Sequence, residues 1–173
     1  VDLGINEVKS QKSKVKSLLL IDIGTGSGCI PISIMKTLKH ENMKTPVTVY
    51  ATDISKSALW VAKRNAKKHE VEITFLHGNL LEPLLTKKHE NMKTKKHIVI
   101  TANLPYLTAE QFHSELSIQY EPRSALVAAN NGLALYEELL KQIHQLVTGY
   151  RLQVTGYMEI DPSQSARMIK LVK

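Results

Sequence analysis

The sequence predicts an α/β fold, a mostly parallel sheet with helices on both faces, and three observations lead there. Leu18-Leu19-Leu20-Ile21-Asp22-Ile23 is an apolar run broken by one acid, the pattern of a strand buried on both faces in the middle of a parallel sheet. The run passes straight into Gly24-Thr25-Gly26-Ser27-Gly28, and apolar residues then return at Ile30, Ile32, Ile34 and Met35, so a tight turn opens a helix. Strand-like and helix-like segments alternate along the rest of the chain, which short right-handed crossovers turn into a parallel sheet.

Residues 1–17 are polar and lysine-rich without a usable period, and read as a basic N-terminal arm or linker remnant ahead of a domain over 18–173. The first strand covers about 18–23 and the first helix about 28–38. Val47-Thr48-Val49-Tyr50-Ala51-Thr52 alternates β-branched residues as a second strand and ends at Asp53. Ser55 is a fitting N-cap for a helix over about 56–68, with Ala58, Leu59, Ala62 and Ala66 on its inner side. Ile73 to Leu76 is a short third strand leading into Gly78-Asn79-Leu80-Leu81-Glu82-Pro83. Ile98 to Ala102 is a fourth buried strand, ending in Asn103-Leu104-Pro105-Tyr106. Leu133 to Val147 has the apolar spacing of an amphipathic helix, 151–160 reads as a fifth strand, and Pro162 opens a last helix through Lys173.

At 173 residues the chain has room for one α/β domain with a real core. Its net charge of +7 favours an acidic partner such as RNA or a ribosome, although a solvated surface is the favoured explanation of the excess. The single cysteine, Cys29, excludes an internal disulfide and a cysteine-based zinc site, and reads as a small buried residue. The seven histidines show no paired ligand spacing, so no metal is expected. No apolar run approaches a membrane span and no secretory h-region is visible, which implies a soluble, cytoplasmic protein with no membrane partner. The heptapeptide Lys39-His40-Glu41-Asn42-Met43-Lys44-Thr45 recurs verbatim at Lys88 to Thr94. Both copies precede a strand, on the edge opposite the carboxyl ends where ligands bind in such sheets, and they read as loop inserts remote from the site.

The glycine spacing decides between ligands. A dinucleotide fingerprint, Gly-x-Gly-x-x-Gly, would put its third glycine at position 29, which is Cys29. The pattern present is Gly24-Thr25-Gly26-Ser27-Gly28 with Asp22 two residues ahead, and it resembles the first motif of S-adenosylmethionine methyltransferases. Asp53, at the tip of the second strand, is placed to accept the ribose hydroxyls. Asn79 and Leu80 follow the third strand and are placed to meet the adenine.

Asn103-Leu104-Pro105-Tyr106 is the sharpest motif. The nitrogen of an amide or aromatic amine is a poor nucleophile because its lone pair is delocalised. A site counters this by accepting both N–H hydrogens as the nitrogen attacks. The Asn103 side-chain carbonyl can accept one and the Leu104 main-chain carbonyl the other. Pro105 biases Leu104 towards an extended conformation, and Tyr106 offers an aromatic wall beside the developing charge.

Together these residues resemble the HemK/PrmC family of protein-(glutamine-N5) methyltransferases. The likeness rests on Asp22 to Ile30, Ala51-Thr52-Asp53-Ile54-Ser55, Gly78 to Pro83, Asn103 to Tyr106, Tyr120-Glu121-Pro122-Arg123-Ser124-Ala125-Leu126, Gly132-Leu133 and Glu159 to Gln164. It implies an S-adenosylmethionine-dependent methyltransferase fold, Rossmann-like, apparently lacking the last two strands and reduced at its N-terminus to residues 1–17. The implied reaction is methyl transfer to the glutamine of the Gly-Gly-Gln motif in peptide-chain release factors, with S-adenosylhomocysteine as product. The implied cofactor contacts are Asp22, Gly24, Thr25, Gly26, Ser27, Gly28, Asp53, Asn79, Leu80 and Asn103. The implied grip on the substrate glutamine is Asn103, Leu104, Pro105 and Tyr106. Leu104 stands where the family usually has a proline, and Asn79 where it commonly has an acid. Two other readings remain: an adenine-N6 methyltransferase acting on rRNA or DNA, and a non-catalytic module that only binds the cofactor.

Overall fold

The computed structural model describes residues 1–11, 17–40, 45–86, 97–150 and 153–173. Five strands, β1 (Leu18–Ile23), β2 (Val47–Asp53), β3 (Thr74–His77), β4 (His97–Ala102) and β5 (Gln153–Met158), form one sheet in the order β3-β2-β1-β4-β5. Every pairing among them is parallel. The order reverses direction at β1, so a crevice opens between the carboxyl ends of β1 and β4, the usual ligand position in such sheets.

β1 and β4 are buried at every position, as their uninterrupted apolar runs require of strands covered on both faces. On one face Leu19, Ile21 and Ile23 of β1 meet Ile98 and Ile100 of β4 and the inner side of α7 (Ala134–Tyr150), with Leu139 and Leu146 fully buried. Leu81 and Leu84, around the short α4 (Glu82–Thr86), and Met168 of α8 (Ser165–Val172) complete that layer. On the opposite face Leu18, Leu20, Val49 and Val99 pack against Ile34 and Leu38 of α2 (Cys29–His40). Each fully buried Leu or Ile contributes about 1.5–3 kcal/mol, so the two faces of β1 carry a large share of the drive to fold. α3 (Lys56–Lys68) covers β2 and β3 with Leu59, Ala62 and Ala66 inward, capped at Ser55, whose hydroxyl accepts the Ala58 N–H. Helices thus lie on both faces, and the expected mostly parallel α/β architecture is borne out. Two short helices, α5 (Ala109–Ser114) and α6 (Arg123–Leu126), lie between β4 and α7, and among the described residues no strand follows α8.

The N-terminus departs from the sequence reading. Asp2–Gln11, expected as part of an arm, forms α1, whose Ile5 and Val8 are buried against α2 and β4. Those two side chains, three residues apart, make a one-turn apolar stripe that the surrounding lysines concealed. The Glu7 carboxylate accepts the Tyr157 hydroxyl at 3.2 Å and lies 3.6 Å from the His97 ring, fastening α1 to β4 and β5. Cys29 is also a correction: it is exposed at the first position of α2, its sulfur 3.1 Å from the Ser27 hydroxyl, because the glycine turn faces outwards there. Residues 41–44 and the whole second heptapeptide copy lie outside the described residues. No helix among the described residues is long and apolar enough to cross a membrane.

Candidate active site

The carboxyl ends of the strands assemble the site. Gly24, Gly26 and Gly28 all take left-handed φ values, 67°, 55° and 81°, a run of backbone that side-chain-bearing residues rarely adopt. The Thr25 N–H donates to the Thr52 carbonyl at 2.9 Å, tying the turn to the end of β2. Around Gly26 there is nothing within 4 Å of where a Cβ would sit, so the middle of the turn faces open space. Gly28, by contrast, lies under α3, where a Cβ would stand 3.2 Å from the Ala62 Cβ. From the same helix Asn65 donates its side-chain amide to the Ser27 carbonyl at 2.9 Å.

Asp53 sits at the tip of β2 with its carboxylate already in use. One oxygen accepts the Gly26 N–H at 2.8 Å and the other the Ser55 N–H at 2.8 Å. A carboxylate offers about four acceptor positions, so two remain for hydroxyls outside. The Asp53 carbonyl accepts the Gly78 N–H at 3.1 Å, which brings the loop after β3 alongside. In that loop Asn79 donates to Glu82 at 3.2 Å, and Leu80 takes a left-handed φ of 49° with its side chain largely buried in the core.

Beneath the turn lies Asp22, only 1% exposed. Its Oδ1 accepts the Thr101 hydroxyl at 2.5 Å. Burial pushes the carboxyl up from 3.8 to about 6, against the pull of the Thr101 and Thr25 hydroxyls and with a further push from the charge of Asp53. Among the described residues the Asp22 Oδ2 and the buried Thr52 hydroxyl oxygen have no hydrogen-bond partner. Two buried oxygens without a partner beside an open glycine turn fit a ligand that brings a cationic donor, as the amino group of S-adenosylmethionine does.

At the end of β4, Asn103 is exposed on an open cleft of about 460 Å³ whose walls include Gly4, Ile30, Tyr157 and Glu159. Leu104 packs into the core against the glycine turn, its Cδ2 2.8 Å from where a Gly24 Cβ would be. The Leu104 N–H donates at 3.2 Å to the buried Tyr136 hydroxyl, which in turn donates to the Glu159 carbonyl. Burial pushes the Tyr136 phenol up to about 12, so it stays protonated and keeps donating. Among the described residues no hydrogen bond takes up the Asn103 side chain or the Leu104 carbonyl. The half-buried Tyr106 donates its hydroxyl to Glu159 at 3.3 Å, and burial together with the Glu159 charge raises its phenol above 10.

Residues 5–117 match the family described as Methyltransferase small domain. The chain belongs to that family. Two curated relatives are release factor glutamine methyltransferases. One, from Enterococcus faecalis, is 36% identical over 157 residues and takes in 90% of this chain and 50% of its own. The other, from Flavobacterium psychrophilum, is 37% identical over 166 residues, with 93% and 52% covered. The chain therefore spans about half the length of the curated relatives it matches. Among solved structures, the hMettl16 catalytic domain superposes with a TM-score of 0.60 at 18% identity, over 97% of this chain and 58% of that one, and shows the shared fold.

The methyltransferase domain also uses residues that the pattern reading passed over. Gln164, buried at the start of α8, donates its amide to the Tyr106 carbonyl at 2.7 Å and the Asn131 carbonyl at 2.8 Å, and accepts the Asp161 N–H. Gly132 lets the Tyr106 carbonyl approach so closely that any Cβ would overlap it. Both residues stand within the segments that carry the family likeness, but nothing in local spacing connects them to Tyr106. Thr101 and Tyr136 read only as a strand residue and a helix-face residue. Among the described residues no group of acidic, histidine or cysteine side chains could hold a metal ion.

Proposed function

We propose that this domain transfers a methyl group from S-adenosylmethionine to the side-chain amide nitrogen of the glutamine in the Gly-Gly-Gln motif of peptide-chain release factors. One observation carries the reading: among the described residues no hydrogen bond takes up the Asn103 side chain or the Leu104 main-chain carbonyl, at the end of β4 beside the glycine turn. An amide NH₂ carries two hydrogens, and two acceptors on the consecutive residues that lead into Pro105 match it.

S-adenosylmethionine, when bound, supplies a sulfonium-activated methyl that needs alignment and no covalent enzyme intermediate. Asp22 Oδ2 and the Thr52 hydroxyl would hold the amino end, and the open space at Gly26 would leave room for the ligand. Asp53 would take the ribose hydroxyls with its remaining acceptor positions, while Asn79 and Leu80 would border the adenine. Asn103 and Leu104 would accept the two N–H hydrogens, which favours rehybridisation of the nitrogen. Its lone pair forms the new bond to the methyl as the methyl–sulfur bond breaks, one N–H proton is released to solvent, and S-adenosylhomocysteine is left. Tyr106, its hydroxyl donated to Glu159, walls the flat amide. Pro105 and the Leu104–Tyr136 hydrogen bond hold the Leu104 peptide so that its carbonyl stays aimed. The reaction runs in the cytoplasm, with a release factor as protein partner.

The test is labelled methyl transfer onto a release factor, with the Gln of Gly-Gly-Gln replaced as control. Asn103→Ala is expected to lower the rate by about a hundredfold or more, because one of the two orienting contacts is lost, while S-adenosylhomocysteine still binds. Transfer at an unchanged rate in that variant refutes the assigned role. Transfer to rRNA in place of the release factor refutes the substrate.

A further inference from the structure

The inner face of α3 is committed to the site, since Ala62 backs Gly28 and Asn65 fixes the Ser27 carbonyl. Its outer face has a different character. Lys56, Lys63, Arg64, Lys67 and Lys68 are all exposed, and the helix contains no acid. Positions 56, 60, 63, 64, 67 and 68 share one stripe of the helix, at spacings of three and four residues. None of the four lysines has an ion pair among the described residues, whereas nearby Lys39 does, with Glu70. In the middle of the stripe Trp60 is 60% exposed, an unusual place for the largest apolar side chain. The Arg64 guanidinium lies 4.6 Å from its ring centroid, which props the indole against the helix and keeps it available to a flat partner.

We infer that the outer face of α3 binds single-stranded RNA. Unpaired cations recognise phosphates, and an exposed indole held among them recognises a base face, which a strand offers freely only when it is not in a duplex. An acidic protein surface would satisfy the lysines but has no use for a propped aromatic ring. RNA held there is a docking partner and not the methyl acceptor, so this reading and the release-factor reading fail separately.

Trp60 is the chain's single tryptophan, so its fluorescence reports this face directly. The protein is titrated with a short oligoadenylate and, in parallel, with a polyaspartate peptide, at low and moderate salt. The expected result is saturable quenching by the RNA, with affinity falling as salt rises by a log–log slope of about −0.7 per phosphate contacted. The double change Lys63→Glu with Lys67→Glu should weaken RNA binding by about tenfold or more and flatten that slope by about 1.4, two contacts' worth. The same variant should keep its thermal midpoint and its RNA-free methyl transfer, because both side chains are exposed and away from the site. If it melts early, Lys63→Gln with Lys67→Gln replaces it. Absence of quenching by RNA, tighter binding of polyaspartate, or binding indifferent to charge removal overturns the inference.

Discussion

Asp22→Asn is the most informative single change, because stability and ligand binding should move in opposite directions. The Asp22 carboxyl is raised from 3.8 to about 6 by burial, so the folded protein holds that proton more tightly than the unfolded chain does. A raised acid pKa means full stability below the unfolded value, lost progressively as pH climbs to the folded value and constant beyond it. At 1.36 kcal/mol per unit, the ionised group costs about 1.6 kcal/mol at pH 5 and about 3 kcal/mol at pH 7.5. Asparagine keeps the shape and an oxygen for the Thr101 hydroxyl but does not titrate. The stability difference between variant and wild type should therefore shift in the variant's favour by about 1.4 kcal/mol from pH 5 to pH 7.5, or roughly 3–5 °C in Tm for a domain of this size. The other titrating groups cancel in that difference. If Asp22 meets a cationic amine, the same change should weaken S-adenosylhomocysteine binding by about ten- to a hundredfold, the value of a charge-assisted hydrogen bond. Urea unfolding at both pH values, with calorimetric titration of the ligand, supplies the measurements. A difference that does not move with pH would refute the reading of Asp22 as a buried, reluctant anion, and undiminished ligand affinity would refute its role at the turn.

Two further contrasts follow from the same geometry. Gly28→Ala and Gly26→Ala each force alanine into a left-handed conformation costing about 1–2 kcal/mol, but only at Gly28 does the new methyl press on α3. Thermal melts should thus show Gly28→Ala as the less stable of the two, while Gly26→Ala should lose more ligand affinity by calorimetry. Gln164→Leu should leave the Tyr106 and Asn131 carbonyls without their donor, costing about 2–4 kcal/mol in unfolding experiments. It should also slow methyl transfer more than it weakens cofactor binding.

How much of this was legible in the chain depends on the range of the forces involved. β1 and β4 declared themselves because a strand covered on both faces has no polar alternation to obscure it. The glycine turn was equally plain, since Gly24, Gly26 and Gly28 serve conformations that few other residues take up. Asp53 at a strand tip was found by position, but its commitment to the Gly26 and Ser55 N–H groups needed coordinates. α1 was missed because Ile5 and Val8 give only one turn of periodicity among charged neighbours. Gln164, Gly132, Thr101 and Tyr136 were passed over for another reason. Each acts on a group at least 25 residues away in the chain, and no local spacing encodes that pairing.

The bond from Gln164 to the Tyr106 carbonyl has a consequence for biosynthesis. β1, β2 and β3 are contiguous both in the chain and in the sheet, so the turn and its Asp53 clasp belong to the half that leaves the ribosome first. Tyr106 emerges later, and its carbonyl lacks this donor until 58 further residues have followed. A polypeptide stalled between those points carries the donor-side cradle without the stitch that sets the acceptor-side loop.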